Sequence, residues 1–257
     1  MPWKDGLAVV VVLARGGSKG VPGKNWASVG GRPCVAWTLD AALGAACAGT
    51  VAVSTDDARV SEIAHHMGAG LVYRPAELAS DTARVDDALR HAVGELEARG
   101  QSPADDRTPI VMLYANVPVR PAGLIDEAVK VLAQSGCDSV QSYQPVGKHH
   151  PWWTCRVGGE GRVAAWDGGE LFHGCFRRQD LPPAYIPDGA ITVMTRRALF
   201  GRVAGVSPGP HAFLGAARGA VINPEGSVVD IDTPLDLRVA DAVLRDRHEG
   251  SHERVSA

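Results

Sequence analysis

Residues 7–13 read Leu-Ala-Val-Val-Val-Val-Leu, an apolar run with no polar residue at alternate positions. A strand with one wet face alternates apolar and polar side chains. A continuous β-branched run predicts a strand buried on both faces. A Gly-rich loop, Ala14–Asn25, follows it. Pro33 can open a helix over Val35–Ala46. Thr50–Ser54 predicts a second strand, Asp57–Met67 a helix, and Gly70–Tyr73 a third strand. Thr82 is placed to cap a helix running to about Arg99. Ile110–Tyr114 predicts a fourth strand, Pro121 a helix start reaching about Gln134, and Cys137–Ser142 a fifth strand.

Strands and helices that alternate in this way predict an α/β fold, a mostly parallel sheet flanked by helices in the Rossmann-like manner. Ligands of such sheets sit beyond the carboxyl ends of the strands. Four polar loops fall there: Ala14–Asn25, Ser54–Asp57, Arg74–Thr82 and Tyr114–Arg120. Together they predict one cleft.

The alternation breaks at about Pro145 and resumes near Pro187. The segment 145–187 therefore reads as an inserted arm of short strands, placed to pair subunits in a homodimer. Ala190–Met194 and Ala220–Ile222 predict further strands. Thr233-Pro234-Leu235-Asp236 has the form of a capping box with Pro at the first helical position, opening a helix to about Arg245. The expected organisation is one domain over 1–246 and a polar, disordered tail over 247–257.

Composition narrows the classes. A net charge of −3 on 257 residues offers no general attraction for nucleic acid or an anionic membrane. The apolar run at 7–13 is far shorter than the roughly 20 residues a membrane span requires. An Arg-Gly-Gly-Ser loop follows it instead of a cleavage site, so neither a signal peptide nor a membrane partner is expected. The five cysteines form no CxxC pair, which suits reduced thiols and a cytoplasmic location.

The loop Ala14-Arg15-Gly16-Gly17-Ser18-Lys19-Gly20, with Lys24 and Asn25 behind it, carries the first candidate chemistry. Glycines let backbone N–H groups approach a polyphosphate, and Ser18 adds a donor. Arg15, Lys19 and Lys24 bring the positive charge a triphosphate needs. The spacing fits neither GxxxxGK[ST] nor GxGxxG.

This loop resembles the N-terminal signature of the acylneuraminate cytidylyltransferases, the CMP-sialic acid synthetases. The resemblance continues in order at Val53-Ser54-Thr55-Asp56-Asp57 and at Arg74-Pro75-Ala76-Glu77-Leu78-Ala79-Ser80-Asp81-Thr82-Ala83. It returns at His149-His150-Pro151, Arg178-Gln179-Asp180-Leu181-Pro182, Gly189-Ala190-Ile191 and Asp230-Ile231-Asp232-Thr233-Pro234. It implies a nucleotidyltransferase fold, usually dimeric through a central arm. It implies attack by the anomeric hydroxyl of a keto-sugar acid on the α-phosphorus of CTP, with pyrophosphate leaving. Carried over by position, Arg15, Ser18, Lys19 and Lys24 hold the triphosphate, and Ala14, Gly16 and Gly17 supply its backbone bed. Asn25 and Arg74 lie near the nucleoside, and Ala83 encloses the base. Arg178 and Tyr185 fall on the sugar-acid side. Arg15, Lys24, Asp230 and Asp232 become the expected catalytic group.

Asp230-Ile231-Asp232 alone reads first as a helix cap with a solvated neighbour. In an extended stretch, residues two apart face the same side. With the resemblance, the pair is expected to bind Mg²⁺ or Mn²⁺, which takes one or two carboxylates plus substrate phosphates. Thr233 can cap the helix at the same time.

His65-His66 reads as a solvated pair on a surface helix. His149-His150 suits a turn, a subunit contact or a sugar-acid contact, and Trp152 and Trp153 suit arm packing. The family's usual Gln-Pro-Thr-Ser-Pro-Leu-Arg stands here as Tyr114-Ala115-Asn116-Val117-Pro118-Val119-Arg120. A lysine usual after His-His-Pro is Trp153. Two polar contacts to N-acetylneuraminate are thus replaced while the CTP side is kept. The expected acceptor is another nonulosonic acid, with pseudaminic acid, a 3-deoxy-octulosonate-type acid or a phosphonate as alternatives. A silent nucleotide-binding homologue and a GT-A-like glycosyltransferase are the remaining readings.

Overall fold

The computed structural model describes residues 8–255, with side chains to 247. Leu7 of the first predicted strand and Ser256–Ala257 of the predicted tail lie outside the described residues. The strands are β1 (Ala8–Ala14), β2 (Ser28–Val29), β3 (Arg32–Pro33), β4 (Ala48–Thr55), β5 (Gly70–Tyr73), β6 (Pro109–Tyr114), β7 (Ser139–Pro145), β8 (Cys155–Val157), β9 (Val163–Ala165), β10 (Tyr185–Thr195) and β11 (Arg218–Ile222). The helices are α1 (Cys34–Leu43), α2 (Ala58–His66), α3 (Ala76–Ala79), α4 (Val85–Ala98), α5 (Leu124–Ser135), α6 (Arg196–Leu199) and α7 (Pro234–Val255).

Seven strands form one sheet in the order β11-β7-β10-β6-β1-β4-β5. β1 runs parallel to β4 and β6, and every residue of β1 is buried, as its unbroken apolar run requires. β10 is inserted antiparallel between β6 and β7. Even-numbered valines of β1 pack with α1 and α5 on one face, and Val9 and Val11 pack with α4 on the other. Both faces are therefore covered.

Local boundaries follow local chemistry. Asp57 caps α2, its carboxylate accepting from the N–H groups of Arg59 and Val60. α5 begins after Gly123, which sits at φ 74° and so turns the chain where other residues would be strained. Three expectations need correction. Thr82 is not the cap of α4, which begins at Val85, after Arg84, whose guanidinium is held by Asp86. β10 starts at Tyr185, five residues before the predicted strand, because its outer half pairs with Tyr143–Pro145 of β7. α7 continues to Val255, ten residues past Arg245 and through most of the predicted tail. Nothing after Pro234 in that stretch is a proline to stop it.

Between β7 and β10, residues 146–184 hold the β8–β9 hairpin and several single turns. His150 organises this arm. It is buried, its Nε2 lies 3.0 Å from the Pro182 carbonyl, and its Nδ1 accepts from the Trp152 N–H. Trp152 stacks on His173 at 5.0 Å, and the Trp153 indole donates to the Cys175 carbonyl.

A third apolar cluster positions the site. Val21, Val29, Cys34, Val119, Ile231, Ala240 and Leu244 bind the Gly-rich loop, the Tyr114–Arg120 loop and α7 into one packed unit. Ile231 is fully buried, which is worth about 2 kcal/mol. It faces the core, while of its two aspartate neighbours Asp232 is exposed and Asp230 half-buried.

Candidate active site

The loop after β1 is shaped by neighbours on three sides. The Asn25 amide donates to the Arg15 carbonyl at 2.8 Å, closing the loop on itself. The Gly16 N–H is taken by the Asp56 carboxylate at 2.8 Å, so it faces the β4–α2 turn and not a ligand. Gly20 lies so close to the Asp230–Asp232 turn that a β-carbon there would collide with the Asp232 carbonyl oxygen. Lys24 completes the junction: its ammonium donates to the Ile231 carbonyl at 2.7 Å and to the Asp232 carboxylate at 2.8 Å.

A cavity of about 360 Å³ opens over this junction. Arg15, Ser18, Lys19, Lys24, Asn25, Arg74, Ala83, Tyr114 and Asp232 all line it, while Ala14, Gly16 and Gly17 are not among its walls. Arg74 is buried against Ser54, donating to its hydroxyl and its carbonyl, and burial lowers its pKa to about 10. Arg15 and Lys19 both reach Asp81.

A second cavity, of about 510 Å³, adjoins the first and shares Val85 and Tyr114 with it. Asp230 lines it together with Asp188, Gly189 and Thr192 of β10 and Phe213. The acidic pair thus straddles the boundary between the two cavities. Burial first, then the charge of Asp232, pushes the Asp230 carboxyl up to about 6, against the pull of Lys24. Burial first, then Asp230, raises the Tyr114 phenol. Thr233 and Asp236 form the predicted box: the Asp236 carboxylate accepts from the Thr233 N–H at 2.7 Å, and the Thr233 hydroxyl accepts from the Asp236 N–H.

Arg178 and Tyr185 line neither cavity. Arg178 is paired with Glu225 at 2.7 Å, and Tyr185 sits at the arm end of β10. Sequence reasoning missed Asn116. Its side-chain amide donates to the Asp230 carboxylate and to the Ile231 carbonyl, while its backbone carbonyl accepts from the Ile231 N–H. It stands two residues after Tyr114 within a polar loop at the sheet edge, and that position was the available signal. Among the described residues no three His, Cys, Asp or Glu side chains gather as a metal cluster.

Two segments some 200 residues apart therefore meet at one polar cavity at the carboxyl edge of the sheet, and the family model spans the first of them. The cytidylyltransferase model matches residues 9–152. The chain belongs to the cytidylyltransferase family. Within that family it is similar to N-acylneuraminate cytidylyltransferase of Streptococcus agalactiae, at 32% identity over 190 residues, 73% of this chain and 43% of the relative. The chain thus matches less than half the length of that relative. CMP-N,N'-diacetyllegionaminic acid synthase of Legionella pneumophila is 28% identical over 92% of this chain and 95% of its own. A solved structure of CMP:2-keto-3-deoxy-manno-octonic acid synthetase with CTP superposes with a TM-score of 0.65 over 93% of this chain and 99% of that one. At 17% identity it shows the shared cytidylyltransferase fold. No helix among the described residues is long and apolar enough to cross a membrane.

Proposed function

We propose that this cytidylyltransferase transfers CMP from CTP to the anomeric hydroxyl of a nonulosonic acid and releases pyrophosphate. The observation that carries the reading is the Lys24 ammonium, fixed between the Ile231 carbonyl and Asp232 in the wall of a cavity that Arg15, Ser18 and Lys19 also line. In phosphoryl transfer, positioning and charge stabilisation supply most of the catalysis. Arg15, Lys19 and Lys24 would hold the triphosphate, Arg74 and Ala83 the nucleoside. The acceptor would enter the adjoining cavity and meet the α-phosphorus at the boundary beside Asp230.

The acidic pair suits a divalent ion. Two carboxylates stand close enough for one to raise the other, and Lys24 is the cation that offsets them. That excess of negative charge on hard oxygen ligands fits Mg²⁺ or Mn²⁺, with phosphate oxygens completing the coordination. Asp230 and Asp232 would hold the ion, which when bound offsets charge on the α-phosphate and the leaving pyrophosphate.

The acceptor we favour is a nonulosonic acid other than N-acetylneuraminate. Tyr114, in the glutamine's place, stands where the two cavities meet. The walls beyond it combine apolar Met112 and Phe213 with Gln141 and Gln144. With Ser142, Thr192 and His211 also in the lining, such a mixed wall suits a sugar acid that presents both apolar and hydrogen-bonding groups. The arm, with Phe176 95% exposed and Trp166 and Phe172 also exposed, supports a homodimer built through it.

The test is pyrophosphate release from CTP and Mg²⁺ over a panel of nonulosonic acids, 3-deoxy-octulosonate and simple phosphonates. Turnover with a nonulosonic acid supports the reading. Turnover with none of the panel refutes it, and highest efficiency with N-acetylneuraminate refutes the acceptor assignment.

A further inference from the structure

Both outer cations of the nucleotide cavity are occupied by one carboxylate. Asp81 takes Arg15 Nη1 on one oxygen at 2.9 Å and Lys19 Nζ on the other at 2.7 Å. The neighbouring Ser80 carbonyl accepts from Arg15 at 3.1 Å. The two cations come from the loop after β1, whereas Asp81 lies more than 60 residues on, between α3 and α4. Lys19, then its own desolvation, then Arg15 act on the Asp81 carboxyl, and the balance holds it below the ordinary carboxylate range. Ser80, Asp81, Ala83 and Arg84 all line the cavity.

A carboxylate bridging an arginine and a lysine makes the same charge-assisted contacts as a pair of phosphate oxygens. A polyphosphate that reaches Arg15 and Lys19 must displace Asp81 or share its donors. We infer that Asp81 is a phosphate stand-in that competes with the β,γ-phosphates, setting triphosphate affinity and discrimination against monophosphate. This rests on the reading of the cavity as a nucleoside triphosphate site.

The thermodynamic consequence is direct. If the cations are free only in a fraction of molecules, apparent affinity falls by that fraction, and removing the competitor restores it. Exposed ion pairs are individually weak, so two of them predict a gain of about three- to tenfold and not of many decades. A ligand without β- and γ-phosphates should gain nothing.

The experiment is calorimetric titration of wild type, Asp81→Asn and Asp81→Glu with CTP, inorganic triphosphate and CMP. The proposal expects Asp81→Asn to bind CTP and inorganic triphosphate more tightly, CMP unchanged, and Asp81→Glu to return towards wild type. Equal or weaker polyphosphate binding by Asp81→Asn, in protein whose melting temperature is unchanged, overturns the proposal. A uniform gain that includes CMP also overturns it. Wild type that binds neither CTP nor triphosphate would instead overturn the functional reading, and this inference with it.

Discussion

Gly20 packs directly against the carbonyl oxygen of Asp232, with no room between them for a β-carbon. Backbone opposes backbone here, so the clash cannot be relieved by turning a flexible side chain. Gly20→Ala should therefore push the acidic pair away from Lys24. Displacement of catalytic groups by about 1 Å can cost on the order of a hundredfold in rate. Pyrophosphate-release kinetics should show that loss in kcat, with circular dichroism unchanged.

Lys24 holds both the Ile231 carbonyl and the Asp232 carboxylate, and its side chain is only 15% exposed. Lys24→Met would leave the carboxylates without that cation while nearly preserving the volume. Loss of one well-placed donor at developing charge costs about 10²–10³ in kcat. Lys24→Arg should not recover it, because a fork-shaped guanidinium does not fit a point-charge position. Wild-type turnover in Lys24→Met would remove Lys24 from the chemistry.

Tyr114 belongs to both cavities, so under the proposed function a change there would fall on the acceptor side. Tyr114→Gln restores the residue usual in the resembling family. It should raise kcat/KM for N-acetylneuraminate relative to the preferred acid by about tenfold or more, since sites that hydrogen-bond a substrate discriminate strongly. An acceptor panel run on both proteins measures that ratio.

Asp138 links three pieces of the fold away from the site. Its buried carboxylate accepts from the Ala216 and Ala217 N–H groups and pairs with Arg197 at 2.7 Å. Burial raises its pKa, but the Ala217 and Ala216 N–H groups and Arg197 outweigh that and hold it below the usual value. A carboxyl depressed on folding stabilises fully above its unfolded pKa, about 3.9. That contribution fades as pH falls below this value and is gone below the folded one. Asp138→Asn should melt well below wild type at pH 7, and the gap should narrow under strongly acidic conditions. A gap independent of pH would show that charge is not what holds this junction.

The sheet was readable where burial on both faces leaves no choice of residue. Val9–Val12, all buried, are the clear case, whereas the edge strand Gly70–Tyr73 buries only Val72 and was legible from its short apolar and aromatic run. β10 was only half legible. Its outer half pairs through backbone groups while carrying exposed Tyr185 and Ile186, so no apolar pattern marks it. In the site, the cations and the acidic pair stood out because like charges or glycines crowd the sequence there. Asn116 did not, because asparagine is common in turns and its partner Asp230 is 114 residues away. Asp81 was hidden for the same reason. A lone aspartate says nothing of the distant arginine and lysine it will meet.

The union of Lys24 with Asp232, 208 positions downstream, has a consequence for biosynthesis. Nascent chains order their amino-terminal portions first, at about 5–20 residues per second on the ribosome. Strands β1 to β6 can pair while the remainder is still being translated, yet the carboxylates have not been made. A nucleotide meeting the growing polypeptide would find half a socket. Competence for chemistry would arrive late, when the segment that carries Asp230 and Asp232 has emerged and docked on the loop after β1.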